Sequence, residues 1–437
     1  MTIKPFQILL FLFVTIPGFA QPLLTLEEAI DITLENNLGI QIARNDVTIT
    51  ENAATKGNAG LLPDITLSGG ANYNLASGKA SFTDAFPRPD LTYSFEPSND
   101  ISAAITASYT IFDGWARVTN FEKLKANKDL SEAQLKQTIE NTIIQVINAY
   151  YFAAQLREGY DINQELVAIS NDRLNRAETR FEFAAVNKLA VLNAEVDLNS
   201  DSVSLVRAEL DLSNAKRDLN LLMNRSVETE FLIDKGVDFL PEMEVDDLRQ
   251  KALDNNQQVV LAQRSLALAE LDLKSSKAGN YPLIGTSISY RGFTSQNKAQ
   301  GTQRNSSGTL TGGLTLSYNI FDGKRRKIQR QNAEVAINSS QLQLQQTKES
   351  LSRDVENAFA SYENSLYVLR IEESNIKSAE LNFERSQEAL NVGQINSTQF
   401  REAQFNLANA RTRIANARYQ AKLAEMELLW LSGTLVE

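Results

Sequence analysis

Ser108-Tyr109-Thr110-Ile111-Phe112-Asp113-Gly114 returns 209 residues later as Ser317-Tyr318-Asn319-Ile320-Phe321-Asp322-Gly323. Each copy closes an alternating run and opens a long stretch without proline. Before the first, Ile101, Ala103, Ile105, Ala107, Tyr109 and Ile111 alternate with Ser102, Thr106, Ser108 and Thr110. Before the second, Leu310, Leu314, Leu316, Tyr318 and Ile320 oppose Thr311, Thr315, Ser317 and Asn319. Period two is the mark of a strand with one apolar and one polar face.

Working outward, the whole chain is a tandem duplication. Leu34-Glu35-Asn36-Asn37 matches Leu253-Asp254-Asn255-Asn256, and the same offset carries Ala59-Gly60 onto Ala278-Gly279 and Pro63 onto Pro282. Downstream, Asn187 pairs with Asn396, Leu198 with Leu407 and Leu222 with Leu431. The first copy has 10 more residues between its proline and its strand motif, around Phe86-Pro87-Arg88-Pro89. They are expected to form an extracellular loop.

Residues 64–75 alternate strictly, and residues 283–293 do so more weakly, giving four strands of about 10–12 residues. That is the length a tilted strand needs to cross a bilayer. The polar faces are Ser, Thr and Asn, nearly without charge, as suits a wet lumen. Tyr73, Tyr109, Tyr290, Phe293, Tyr318 and Phe321 are read towards the strand ends, where aromatic girdles form. A soluble sandwich with one buried face would explain the alternation alone, but four strands between very long helices fit it badly.

The remainder reads as helix. Beyond each Asp-Gly the pattern runs to about Phe181 and Leu390, with the aspartate expected as N-cap. At 1.5 Å per residue each such helix is about 100 Å long. Ala403, Leu407, Ala410, Ile414, Ala417, Ala421, Ala424, Leu428 and Leu431 keep a seven-residue repeat, and the partner helix Ala194 to Leu222 keeps it except at Asp201. A sustained heptad of this kind predicts a left-handed coiled coil. Shorter helices, Leu26–Glu35 and Val245–Asp254, end at Asn-Asn pairs read as left-handed caps.

The expected plan is a signal segment at 1–20 and a first repeat at 21–225, with a β-hairpin at 63–112 and a helical hairpin at 114–224. A connecting segment at 226–243 follows. The second repeat, 244–437, has its hairpins at 282–321 and 323–432. The signal rests on Lys4, the apolar run Ile8–Ile16 and the small residues before Gln21. No later segment has the roughly 20 apolar residues of a spanning helix.

Composition narrows the function. The 437 residues include no cysteine and no histidine. Disulfides, an acylated cysteine, Cys–His and Ser–His nucleophiles and the commonest metal ligand are thus excluded. The formal charge of −11 argues against nucleic acid. No Gly-rich phosphate loop is present. The chain is therefore read as a non-enzyme without cofactor.

Four strands cannot close a membrane barrel, and open edges are not tolerated in lipid. Copies must combine, two supplying eight strands or three supplying twelve. At this point the chain resembles the TolC-like outer membrane efflux proteins over essentially its whole mature length. The likeness lies in the duplication, the helix–Pro–strand–loop–strand–Asp-Gly–helix order, and the hairpin tips with their Ala/Leu heptads. It implies an α+β membrane protein: a homotrimer with a 12-strand barrel in outer-membrane lipid and a periplasmic α-barrel of coiled-coil hairpins. It implies passive efflux or type I secretion, with a periplasmic adaptor and an inner-membrane transporter as partners. The rival from another class is a periplasmic coiled-coil adaptor or scaffold, which should show compact β domains flanking one hairpin.

The resemblance also locates candidate sites. The second hairpin tip, Val392-Gly393-Gln394-Ile395, is close to the family's Val-Gly-Leu-type docking motif. The first, Phe183-Ala184-Ala185-Val186, has alanine in place of the glycine. Acidic aperture rings of the family fall here at Gln399 and Glu402, with Glu195 near the first tip. Lys324-Arg325-Arg326-Lys327 opens the second long helix, where it either meets lipid phosphates or is a solvated basic turn.

Overall fold

A computed structural model describes residues 22–81, 89–241, 243–297 and 302–435. The signal segment and residues 86–88 of the added loop lie outside them. In chain order the elements are β1 (Leu23–Leu24), α1 (Leu26–Asn36), α2 (Leu38–Ala53), β2 (Asp64–Ala80), β3 (Leu91–Phe112), α3 (Ala116–Glu182) and α4 (Lys188–Leu222). The second set is β4 (Leu232–Ile233), α5 (Val245–Asn255), α6 (Gln257–Ser276), β5 (Leu283–Asn297), β6 (Thr302–Ser317), α7 (Arg325–Asn391) and α8 (Ser397–Ser432). Contacts group these into two units, residues 1–41, 138–252 and 352–437 in one, and 42–137 and 253–351 in the other.

The second unit holds an antiparallel sheet in the order β2-β3-β5-β6. Its register aligns Leu67, Ile105, Tyr290 and Leu310 across one face, and Thr66, Thr106, Ser289 and Thr311 across the other. The apolar face is open: Leu67 is 77% exposed and Leu314 74%. Phe293 pairs with Ser102 and Ser307, which puts it on the hydroxyl face and not in an outer girdle. Tyr290, aligned with Ile105 and Leu310, sits mid-strand.

The strands are longer than the alternation predicts, 17, 22, 15 and 16 residues. Pairing continues through polar partners such as Asn72 and Asp100 and past an irregularity at Ala76/Gly78. Backbone hydrogen bonds carry the ladder onward where no apolar face is required. The opposite deviation occurs at the end of β6. Tyr318 to Phe321 leave the ladder, whereas their counterparts Tyr109 to Phe112 stay in β3. β5 still lies opposite the end of β3, with Tyr109 facing Thr286 and Phe112 facing Ile284, but its pairing with β6 starts only at Leu283 opposite Ser317.

Each strand-to-helix junction is held by one arginine. Arg117 donates to Asp113 through its backbone N–H at 3.0 Å and its Nε at 2.9 Å, and to the carbonyl oxygens of Gly60 and Thr110. Arg326 does the same with Asp322, Gly279 and Asn319. The aspartates thus cap from outside the helix, reaching its second residue. A left-handed pair separates them from it, Gly114 and Trp115 in one copy, Gly323 and Lys324 in the other. A Cβ at Gly114 would lie 2.5 Å from the Ala278 carbonyl oxygen, so glycine is required there by space as well as by φ.

The Asn-Asn pairs act differently from expectation. Asn37 and Asn256 are extended, with ψ of 126° and 129°. A single residue between two helices must already have the N-cap conformation of the next one. Asn37 accepts from Ile40 N–H, and Asn256 from Gln258 N–H.

The first unit is built from helical hairpins and the connecting segment. Ala194, Leu212, Ala215 and Leu219 are buried on α4, and eight of the nine heptad residues of α8 are buried, with Ile414 half-buried. The core gathers Ile143, Val146, Ile147 and Tyr150 of α3 against Leu212 and Leu219 of α4. The connecting segment is not a free linker. β4 pairs in parallel with β1. Tyr150 donates from its hydroxyl to the carbonyl oxygens of Leu24 and Asp234, at 3.0 and 3.2 Å. Buried Lys422 and Glu425 pair with each other, and Glu425 accepts from Leu240 N–H at 2.6 Å.

Candidate docking tips and aperture

Both hairpin tips fold by one scheme. α3 stops when Ala184 takes a left-handed conformation (φ 55°), and α7 stops when Gly393 does (φ 77°). At the first tip Ala184 N–H donates to Phe181 O and Ala185 N–H to Arg180 O, at 2.9 and 2.8 Å. At the second, Gly393 N–H donates to Leu390 O and Gln394 N–H to Ala389 O, at 3.1 and 2.8 Å. These bonds satisfy the last helical carbonyls. The alanine therefore makes the same turn as the glycine, at the backbone cost of a left-handed L-residue.

Asn187 and Asn396 then cap the returning helices. Gln399 completes a capping box, its side-chain oxygen accepting from Asn396 N–H at 3.0 Å. Of the three candidate aperture residues, Gln399 is thus engaged locally, whereas Glu402 and Glu195 are exposed on α8 and α4. At the tips Phe183, Ala184, Ala185, Val392, Gly393 and Gln394 are exposed, and Val186 and Ile395 half-buried. Phe183 (81% exposed) and Val392 (70%) present unburied apolar groups. The two turns meet at a cleft of about 720 Å³ whose lining includes Val186, Asn187, Gly393, Ile395, Arg173 and Arg401.

Beneath the cleft lies a polar network that the heptad pattern marked only as a defect. Asp201, 8% exposed at its side chain, receives both guanidinium nitrogens of Arg401, at 2.7 Å each, and the hydroxyl of Ser170. The hydrogen bond that Arg401 donates to Asp201, ahead of burial that opposes it, holds the Arg401 pKa above its ordinary value. Arg173 donates to Asp197 at 2.9 Å, Ser397 at 3.2 Å and Gln404 at 3.3 Å. Two cations and two carboxylates so neutralise one another where water is scarce. An acid at a core heptad position was the available signal, but its partner 200 residues away carried none.

Among the described residues no helix is long and apolar enough to cross a membrane, and no acidic group is arranged to hold a metal. Among the described residues the four-stranded sheet presents a broad apolar face open to the surroundings.

Comparison with known proteins agrees with this architecture. The Outer membrane efflux protein family matches residues 29–225 and 248–434, one stretch in each repeat. The outer membrane protein TolC of Vibrio cholerae is 23% identical over 390 residues, covering 88% of this chain and 85% of the relative. The proteases secretion protein PrtF of Dickeya chrysanthemi is 18% identical, covering 98% and 92%. Among solved structures, the Campylobacter jejuni CmeC outer membrane channel superposes with a TM-score of 0.77 at 16% identity, over 94% of this chain and 86% of that one. With the duplicated frame, the open-edged sheet and both tips in place, the chain belongs to the outer membrane efflux protein family, whose members are outer-membrane channels.

Proposed function

We propose that three copies close their sheets into a 12-strand barrel and join their helical hairpins into a periplasmic duct, the exit channel of an efflux or type I secretion system. The observation that carries this is the sheet order. β2 and β6 lie at its two edges, and each presents an unpaired row of backbone groups beside an apolar face. In lipid such edges are intolerable, and a neighbouring copy is the partner that can satisfy both. The chain contains no cysteine, so the test has no background. Single cysteines along β2 and β6 should give a covalent ladder ending at the trimer, in one register. Crosslinks confined to monomers, or a ladder ending at the dimer, would overturn it.

The tips are the docking surface for a periplasmic adaptor, supported by the exposed Phe183 and Val392 beside one cleft. The inner-membrane transporter supplies the energy, and conduction through the duct is passive. Glu402, repeated by the three-fold axis, lines the periplasmic aperture and favours cations, as charged rings do. Single-channel recording of Glu402→Ala should lose cation selectivity and cation block; unchanged values would reject the ring.

A further inference from the structure

We infer that Lys324, Arg325 and Lys327 form a binding surface for the anionic headgroups of phospholipids at the periplasmic rim of the sheet. All three side chains are exposed. Arg326 is not part of the surface, because its guanidinium is consumed by Asp322, Gly279 and Asn319. None of the three forms an ion pair among the described residues.

The duplication supplies an internal control. The equivalent positions of the first copy are Trp115, Ala116 and Val118. Their backbone is the same, Trp115 at φ 66° against Lys324 at φ 71°, with Gly114 and Gly323 both at 67°. The arginine staple is the same too. The turn therefore folds without cations, and the macrodipole at the start of α7 disfavours them. Their presence needs an explanation from outside the turn.

The neighbourhood supplies one. The open apolar face of β6 continues past the strand into Ile320 (86% exposed) and Phe321 (79%), within four residues of Lys324. The register pairs Leu283 with Ser317 and Phe112 with Ile284, so the same rim carries Phe112, Trp115 and Tyr281. Those three rings stack edge-to-face, with centroids 5.1 to 6.2 Å apart. Aromatic rings and long cationic side chains at the border of an apolar belt match a headgroup layer. The stems lie against hydrocarbon and the charged ends reach phosphate.

This inference rests on the reading that the sheet lies in lipid, and the test separates the two. Full-length protein is inserted into nanodiscs of mixed phosphatidylglycerol and phosphatidylethanolamine, and the lipid retained after detergent extraction is quantified. Wild type should enter and retain phosphatidylglycerol preferentially. K324Q/R325Q/K327Q should enter equally well but lose that preference roughly tenfold. The charge-matched control R207Q/R370Q/K377Q, on exposed sites of α4 and α7, should keep it. Insertion of wild type without a preference, equal retention by the triple variant, or full displacement by inorganic phosphate would overturn the lipid surface alone. Failure of wild type to insert would overturn the membrane-sheet reading beneath it.

Discussion

Arg401 grips both carboxylate oxygens of Asp201 across 200 residues of sequence, joining α8 to α4 just below the tips. Losing one partner strands the other's charge in a poorly hydrated place. Asp201→Ala should therefore destabilise the protein by roughly 2–3 kcal/mol, discounted for the partial exposure of Arg401. The apolar pair D201L/R401M should recover most of this, because neither charge then has to be desolvated. Thermal unfolding of the four members of the cycle checks it. Additive losses in the double variant would mean that the pair is not coupled.

Ala184 and Gly393 share a left-handed conformation but not its cost. Ala184→Gly should stabilise the first tip by about 1 kcal/mol, and Gly393→Ala should weaken the second by about the same. Nothing lies within 4 Å of a Cβ built at Gly393, so that loss is one of backbone conformation and not of crowding. Hydrogen exchange at the two turns resolves each effect. A less protected first turn in Ala184→Gly would contradict the shared scheme.

Arg326 ties the segment that follows β6 to the first turn of α7. Arg326→Met should lower the melting temperature by several degrees, and Arg326→Lys should not restore it, because an ammonium cannot reach three acceptors in one plane. Burial would raise the Asp322 carboxyl, but its hydrogen bonds and charge interaction with Arg326 outweigh that and hold it below its ordinary 3.8. The native carboxylate is thus the favoured form. Its contribution is present above the ordinary value and lost as pH falls through the folded one. Arg326→Met should consequently blunt acid destabilisation; an unchanged acid limb would assign that limb to other carboxylates.

The tyrosine cluster sets an alkaline limit. Burial, with Glu425, Asp238 and Asp234 adding to it, pushes Tyr151 up to about 12 from its ordinary 10.0. Tyr150 and Tyr419 are raised as well, chiefly by burial. For a group whose folded pKa is raised, stability is complete below the unfolded value and falls as pH climbs to the folded one. Stability should therefore decline above pH 10, with cooperative release of tyrosinate near unfolding. Tyr151→Phe should keep more of its stability at high pH, read by tyrosinate absorbance together with circular dichroism. Early, non-cooperative titration of all three rings would contradict their burial.

Periodicity alone determined the duplication, the four alternating strands, the heptads of α4 and α8 and the positions of both tips. These features are local or repeat along the chain, and each residue's face follows from its spacing. The tertiary structure decided what depends on distant partners. The order β2-β3-β5-β6 and its register settled that Tyr109 to Phe112 remain in strand while Tyr318 to Phe321 do not, since only the former still lie opposite residues of β5. It moved Phe293 to the hydroxyl face, where weak alternation had hidden its side. It gave Asn37 and Asn256 to the helices that follow them, because one residue between helices has room for only one conformation. It also revealed Asp201 as half of an ion pair. A pattern can mark an acid in a core position, but only the approach of α8 places Arg401 against it, and that approach is set by packing, which the repeat relating α4 to α8 does not specify.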